Sequence, residues 1–399
     1  MSLSVIKMPC SIKLMRLLIY YTSNLVKVNL QITISVLYSN IPNDYFSFTH
    51  SSMSLWQAFS LVPKSSFYHF SGKLITDNIH AGKAGAWITK TESTIFIYMM
   101  SSISTQSFKR TEKNDSLFSI LIPSWNNLSY LKLCINSIQK NSTHPHQIIV
   151  HINEGNDGSL EWIEQQTRLD YTYSKENVGV CYALNACSQL AYTDYILYMN
   201  DDMYACPGWD AMLWQEILSI GHPYFFLSAT AIEPQAANNC SILKNYGTNI
   251  SHFNEGLLLE EYAQLPMKNW MGATWPPNVV HKNIWDLVGG YSIEFSPGMY
   301  SDPDFSMKLW QTGIRLFKGI AASRVYHFGS VSVKRIKNNK GYYQFISKWG
   351  MTSSTFSKKF IRRGEVFDGV CGEAHLSAML KFKNLVKRLS NAFVNKSLH

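Results

Sequence analysis

The chain has 399 residues, of which 46% are hydrophobic, 14% aromatic and only 16% charged. That excludes a disordered chain and leaves room for one large domain or two ordinary ones. The net charge of +9 is placed unevenly, because from Lys334 onward Lys and Arg have little acid to offset them; this suits an anionic partner, or serves as a solvated face.

Seven cysteines form no CxxC pair and leave one over, as expected of free thiols in a reducing compartment. No run reaches the ~18 consecutive apolar residues of a membrane span. The apolar "LMRLLIYY" near the start is too short for a signal peptide and lacks a small-residue cleavage site. The expected location is cytoplasmic, with peripheral attachment to the inner face of a membrane as an option.

In chain order, residues 1–115 hold short apolar runs such as "LQITISVLYS" and "STIFIYMM", with no sustained period and no motif. They are set apart as an N-terminal extension of unassigned role, either poorly ordered or outside the native product. From Leu117 the pattern is regular. "LFSILIP" reads as a strand, "LSYLKLCINSIQK" as a helix, and "HQIIVHI" as a strand running into the turn residues "NEGNDGS". "LEWIEQQT" is a helix with Asp157 or Ser159 as its cap. "LDYTYS" is a third strand and "ENVGVCYALNACSQLA" a helix. A fourth strand, Tyr195–Met199, then runs into Asn200-Asp201-Asp202.

This alternation implies an α/β fold with a mostly parallel, doubly wound sheet, whose ligands bind beyond the carboxyl ends of the strands. Pro123, Asn153 and the Asp201-Asp202 pair fall at such ends. Adjacent carboxylates repel, and a divalent cation with oxygen ligands relieves that repulsion; the alternative is that the strand simply ends in solvent. No GxGxxG or GxxxxGK[ST] occurs, so those phosphate-binding loops are excluded. Downstream, Asp302 and Asp304 precede the helix "FSMKLWQTG", where an N-cap role competes with a chemical one. His327 ends the strand "SRVYHF".

"SILIPSWNNLSYLKLCINSI", "NEGNDGS", "ENVGVCYALN", "YMNDDM", "VGGYSIEFSPGMYSDPDFSMKLW" and "VYHFGS" stand in the order and spacing of the family 2 glycosyltransferases. The chain resembles that family over about residues 117–330. The resemblance implies a GT-A fold with a mixed acceptor-side extension. It also implies transfer of a sugar from a nucleotide-sugar donor with inversion, assisted by Mn²⁺ or Mg²⁺, in glycan or cell-surface polysaccharide synthesis. By the same resemblance, Pro123, Ser124 and Trp125 line the nucleoside pocket, and Asn153 stands where the family commonly has an Asp that bonds the base. Asp157 and Asn185 join the donor site, although Leu184 replaces an Arg common in the family, for which Lys175 is the candidate substitute. Asp201 contacts the ribose, Asp202 and His327 hold the metal, and Asp302 is the catalytic base.

The resemblance places a GT-A domain at 116–332 and leaves 333–399 as a basic helical tail. Trp275, His281 and Asp304 are expected on the acceptor side, and Trp270 in the core. The acceptor is a glycan, a lipid-linked unit or a protein, not nucleic acid. "QFISKW" departs from the Gln-x-x-Arg-Trp motif of processive synthases, which implies single-sugar transfer. The stretch "HLSAMLKFKNLVKRLSNAF" reads as a basic amphipathic helix that lies on an anionic membrane or packs against the domain. The alternatives carried are a non-catalytic nucleotide- or sugar-binding protein of this fold and a sugar nucleotidyltransferase.

Overall fold

The computed structural model describes residues 12–19, 28–36, 68–74, 97–98, 105–235, 238–329 and 340–396. Cys10, the Met99-Met100 pair and residues 334–339 at the start of the basic C-terminal stretch lie outside them. The chain divides into two compact units, Met1–Ser104 and Thr105–His399. In the first unit, β1 (Ile12–Ile19), β2 (Val28–Val36), β3 (Tyr68–Leu74) and β4 (Ile97–Tyr98) form an antiparallel sheet in sequential order.

The second unit opens at β5 (Thr105–Phe108), ahead of the expected start at 116. This edge strand pairs antiparallel with β8 (Asp170–Ser174). The segment that follows it is fastened by one buried carboxylate. Asp170 accepts from the Arg110 and Thr111 backbone N–H groups at 2.6 and 2.8 Å and from the Gln147 amide at 2.7 Å.

The remaining strands are β6 (Ser119–Trp125), β7 (Gln147–Asn153), β9 (Tyr195–Tyr198), β10 (Met203–Ala205) and β11 (Phe225–Glu233). After them come β12 (Ser241–Leu243), β13 (Trp270–Met271), β14 (Asn278–His281) and β15 (Leu316–His327). The sheet order is β10-β15-β11-β14-β9-β6-β7-β8-β5, with β12 on β11 and β13 on β15. Strands β8, β7, β6 and β9 are mutually parallel. β14 runs antiparallel to both β9 and β11, and β15 runs parallel to β11. Six strands of the main path therefore point the same way, as the alternation implied, as does β12 beside β11, and the carboxyl ends of the six share one edge.

Both faces of this sheet are covered, which explains why its strands read as unbroken apolar runs. On one face Ile120, Ile122, Val150 and Leu197 pack against α1 (Leu128–Asn141), α2 (Ser159–Glu164) and α4 (Trp209–Ile220). On the other, Leu121, Ile149, Ile196 and Phe226 meet α3 (Gly179–Ser188), α6 (Lys282–Val288) and α7 (Ser301–Gln311). Each fully buried Leu or Ile here contributes roughly 2 kcal/mol. α5 (Glu255–Glu261) covers a smaller apolar cluster around Tyr204, Tyr246 and Tyr326.

The C-terminal segment is largely built into this unit. α8 (Gly341–Trp349) and α9 (Ser353–Lys359) contribute Phe345, Ile346 and Phe356 to buried positions. α8 is held through Asp304, which receives the Trp349 indole N–H at 2.8 Å and faces the Lys348 ammonium at 2.9 Å. α10 (Ala378–Lys396) rests on α8 and α9 through two buried asparagines. Asn391 donates to the Tyr343 carbonyl and the Ser347 hydroxyl, and Asn384 accepts from Thr355. Among the described residues no helix is long and apolar enough to cross a membrane.

Candidate active site

β6 and β9 lie side by side where the strand order reverses, the point at which doubly wound sheets open a crevice. β6 ends in Pro123-Ser124-Trp125, and Ser124 Oγ donates to Asp201 Oδ2 at 2.7 Å. Trp125 Nε1 and Asn126 Nδ2 both donate to Glu154 Oε2 at 2.9 Å. Glu154 follows β7 with a left-handed φ of 63°, a conformation that costs a non-glycine residue about 1 kcal/mol and that clusters at functional sites.

Beyond β9 the chain turns through Asp201-Asp202 and returns as β10, antiparallel to β15, with Met203 opposite His327. That reversal lays Asp202 beside His327: Asp202 Oδ1 is 3.4 Å from Nε2, and Glu233 Oε1, at the end of β11, is 3.0 Å from Nδ1. Burial opposes a charge on the ring, yet the two carboxylates outweigh it and raise the His327 pKa to about 10. A positive charge is thus favoured between these acids. A polar cleft of about 260 Å³ opens alongside, lined in part by Glu233, Thr248, Phe328 and Gly329.

Asp302 lies in the first turn of α7, directly after Tyr300, whose φ is a left-handed 70°. The Tyr291 hydroxyl donates to Asp302 Oδ1 at 3.2 Å, and the Tyr291 ring stacks on Phe305 with centroids 4.6 Å apart. Asp302 is only partly exposed. Burial pushes the Asp302 carboxyl up to about 7; the Tyr291 hydrogen bond and the Arg363 charge restrain the rise. A carboxylate tuned near neutrality suits proton transfer. The chain of support extends further. Asn185 clamps the Tyr291 backbone, donating to its carbonyl at 2.7 Å and accepting from its N–H at 2.8 Å. Gly290 permits the approach: its φ is +62°, and a Cβ there would lie 2.3 Å from Asn185 Oδ1.

The structure redirects several expected site residues. Asn185 is committed to the Tyr291 backbone, so it positions the residue that holds Asp302 rather than meeting a donor. Asp157 is a double cap, accepting from Leu128 N at 2.7 Å and from the Ser159 hydroxyl at 2.6 Å. Asn153 is buried, and its carbonyl oxygen accepts from Val178 N at 2.9 Å, fixing the entry to α3. Asp304 is fully buried and holds α8, so it does not face an acceptor. His281 caps α6, accepting from Asn283 N at 3.1 Å. It pairs with Tyr195, at the amino end of β9 and away from the site, because β14 runs antiparallel. Trp275 precedes β14, whose first residue Asn278 pairs with Tyr198 at the carboxyl end of β9, and Trp270 is buried with Nε1 on Thr230 Oγ1 at 3.0 Å, as expected of core.

Glu233, Tyr291 and Arg363 were missed. Glu233 had one signal, an acid immediately after the apolar strand "FFLSATAI". Tyr291 and Arg363 had none, since their partners are distant in sequence. Among the described residues no group of three or more His, Cys, Asp or Glu side chains is placed to hold a metal ion.

Residues 119–239 match the family described as Glycosyl transferase family 2. No curated protein matches the chain. Among solved structures, it is similar to S. aureus TarS 1-349, with 13% identity over 70% of this chain and 72% of that one, at a TM-score of 0.42. The UDP-GlcNAc complex of the same protein gives 13% identity over 70% and 73%, at 0.43. GalNAc-T7 with UDP, GalNAc and Mn²⁺ gives 14% over 62% and 51%, at 0.43.

The pKa of Asp302 is open to direct measurement. In a carbon-13 carboxyl titration, with the resonance assigned by Asp302→Asn, Asp302 is expected to titrate near pH 7, against about 4 for an ordinary Asp. Tyr291→Phe removes a hydrogen bond to the ionised form, so the midpoint should move to higher pH. A wild-type midpoint near 4, or a downward shift in the variant, contradicts the assignment.

Proposed function

We propose that this family 2 glycosyltransferase domain transfers a single sugar from a nucleoside-diphosphate sugar to an acceptor hydroxyl, with inversion, and that Asp302 is the general base. The observation that supports it most is the convergence of the Ser124–Asp201 pair, the Asp202–His327–Glu233 row and the Asp302 carboxyl around the carboxyl edge of one sheet. Asp201, oriented by the Ser124 hydroxyl, keeps acceptor capacity for ribose hydroxyls. Trp125, fixed by Glu154, supplies an aromatic wall for the nucleoside.

The donor set fits a divalent cation. Asp202 offers oxygen, His327 offers Nε2, and Glu233 on Nδ1 is the carboxylate partner that typically orients a ligating imidazole. Two protein ligands are few, as is usual when substrate phosphates complete the shell of Mg²⁺ or Mn²⁺. Asp202 and His327 would hold the ion, which when bound neutralises the charge developing on the departing diphosphate.

The chain's own part in the chemistry is proton transfer and positioning. The Asp302 carboxylate takes the acceptor hydroxyl's proton as that oxygen attacks the anomeric carbon. The bond from that carbon to the diphosphate oxygen breaks, and the nucleoside diphosphate leaves with the electron pair. One displacement from the opposite face inverts the centre.

A melting-temperature panel of nucleoside diphosphates with and without Mn²⁺ tests the donor site. One nucleotide should raise the melting temperature by several degrees only with the metal, and Asp202→Ala should abolish that rise. No rise with any nucleotide, or a rise indifferent to metal, contradicts the reading.

A second feature supports peripheral membrane contact. α10 docks through Asn384 and Asn391 and turns an apolar stripe outward, with Met379 68%, Phe382 65% and Leu389 53% exposed. Lys381, Lys383, Lys387 and Arg388 flank that stripe, and the helix contains no acid, a pattern that suits an anionic lipid surface. The protein should float with phosphatidylglycerol vesicles and not with phosphatidylcholine vesicles, and Phe382→Ser with Leu389→Ser should leave it at the bottom of the gradient. Equal flotation with both lipids, or none, contradicts this.

A further inference from the structure

The segment after α9 folds back over the expected acceptor side of the site. Gly364 N donates to the Met271 carbonyl at 3.0 Å, Met271 N to the Glu365 carbonyl at 2.8 Å, and Phe367 N to the Asn269 carbonyl at 2.8 Å. This strip of pairing brings Arg363 against the backbone at Gly272. Gly272 has φ +84°, and a Cβ on it would lie 2.5 Å from the Arg363 Cα. A side chain at 272 would therefore displace Arg363, and the glycine permits the contact.

The two neighbouring arginines of this segment are treated differently. Arg362 is saturated, with Glu365 at 2.6 Å and Asp368 at 2.8 Å from its guanidinium. The half-buried Arg363 guanidinium lies over the Trp275 ring, 4.0 Å from its centroid. Among the described residues no carboxylate comes within salt-bridge distance of it and no group accepts a hydrogen bond from it. Trp275 leads into β14, whose first residue Asn278 pairs with Tyr198; the Tyr198 ring packs edge-on against Tyr291, 5.9 Å between centroids, and Tyr291 holds Asp302. The Asp302 and Arg363 charges accordingly act on each other. A desolvated guanidinium without an anion is costly, and its planar fork of N–H donors matches carboxylate and phosphate oxygens. Stacking on Trp275 holds that plane in place and leaves its edge to donate.

A group beside the base meets the acceptor, because the base takes the acceptor's proton. We infer that Arg363, held on Trp275, forms an acceptor subsite for an oxyanion, a carboxylate or a phosphate, carried next to the hydroxyl that is glycosylated. The acceptor is then an acidic glycan or a phosphate-bearing chain rather than a neutral sugar. This inference rests on the reading of Asp302 as base.

The test is ligand-observed saturation-transfer NMR on the full chain with three probes: glucuronate, glucose 6-phosphate and glucose. Mn²⁺ and the nucleoside diphosphate selected by the melting panel are present, so that the donor site is filled. Wild-type protein should bind at least one anionic probe about tenfold more tightly than glucose. Preference for glucuronate assigns a carboxylate, and preference for glucose 6-phosphate assigns a phosphate. Arg363→Met should bind all three alike, and Arg363→Lys, which keeps the charge but not the fork, should retain part of the preference. Equal or undetectable binding of all three probes by wild type overturns the inference, as does a preference that survives in Arg363→Met. The nucleotide-induced melting shift should be unchanged in Arg363→Met; its loss would place Arg363 in the donor site and overturn the proposal. If no nucleotide shifts wild type, the donor reading fails, while the probe comparison run without nucleotide still decides the role of Arg363.

Discussion

Asp201 and Asp202, 4% and 3% exposed, impose the constraint on which the rest of the site depends. Burying adjacent carboxylates costs several kcal/mol unless their charges are met. The chain meets them with structure. Ser124 reaches across from the neighbouring parallel strand to Asp201, and the His327 ring stands between Asp202 and Glu233. These contacts exist only because β9 turns sharply into β10 and β10 pairs antiparallel with β15. The register that sets Met203 opposite His327 is therefore as much a part of the site as the acids.

The Asp302 side of the site is assembled by a different route. α7 starts at a residue held in a left-handed conformation, so the Asp302 side chain leaves the helix at its first turn. The Tyr291 hydroxyl holds that carboxyl, Asn185 holds the Tyr291 backbone, and Gly290 is the only residue type that fits between them without strain. Two segments, α3 and the stretch from Gly290 into α7, far apart in sequence, thereby fix one carboxylate. Burial keeps it near neutrality, where it can both take and hold a proton.

Much of this was legible in the sequence, for reasons that can be named. The alternation of apolar strands with helices of period 3.6 is a local signal, so "LFSILIP", "HQIIVHI" and "YILYM" were read as the parallel strands that they form. The rule that ligands bind beyond the strand ends places Pro123, Asn153 and the Asp201-Asp202 pair at one edge, and the family resemblance adds Ser124 and His327. The failures also have physical causes. Asp157 and Asn185 were read as donor ligands because their residue types suit polar contacts, but a cap and a backbone clamp use the same oxygen and amide groups. His281 failed because strand direction decides which end of the sheet a residue occupies, and β14 is the antiparallel strand among parallel neighbours. Arg363 was invisible because the segment that carries it pairs with β13 about ninety residues earlier. Its composition reads as a basic tail, whereas its hydrogen bonds fasten it to β13.

The account holds that donor binding and proton removal are separate functions housed at one sheet edge. The most direct measurement compares wild type with Asp302→Asn, recording nucleotide-sugar affinity in the presence of Mn²⁺ and single-turnover consumption of the same donor. The account predicts an affinity within about threefold of wild type, with turnover reduced by roughly a thousandfold. Loss of affinity and turnover together would contradict it, and would leave Asp302 as a cap that holds α7 in place.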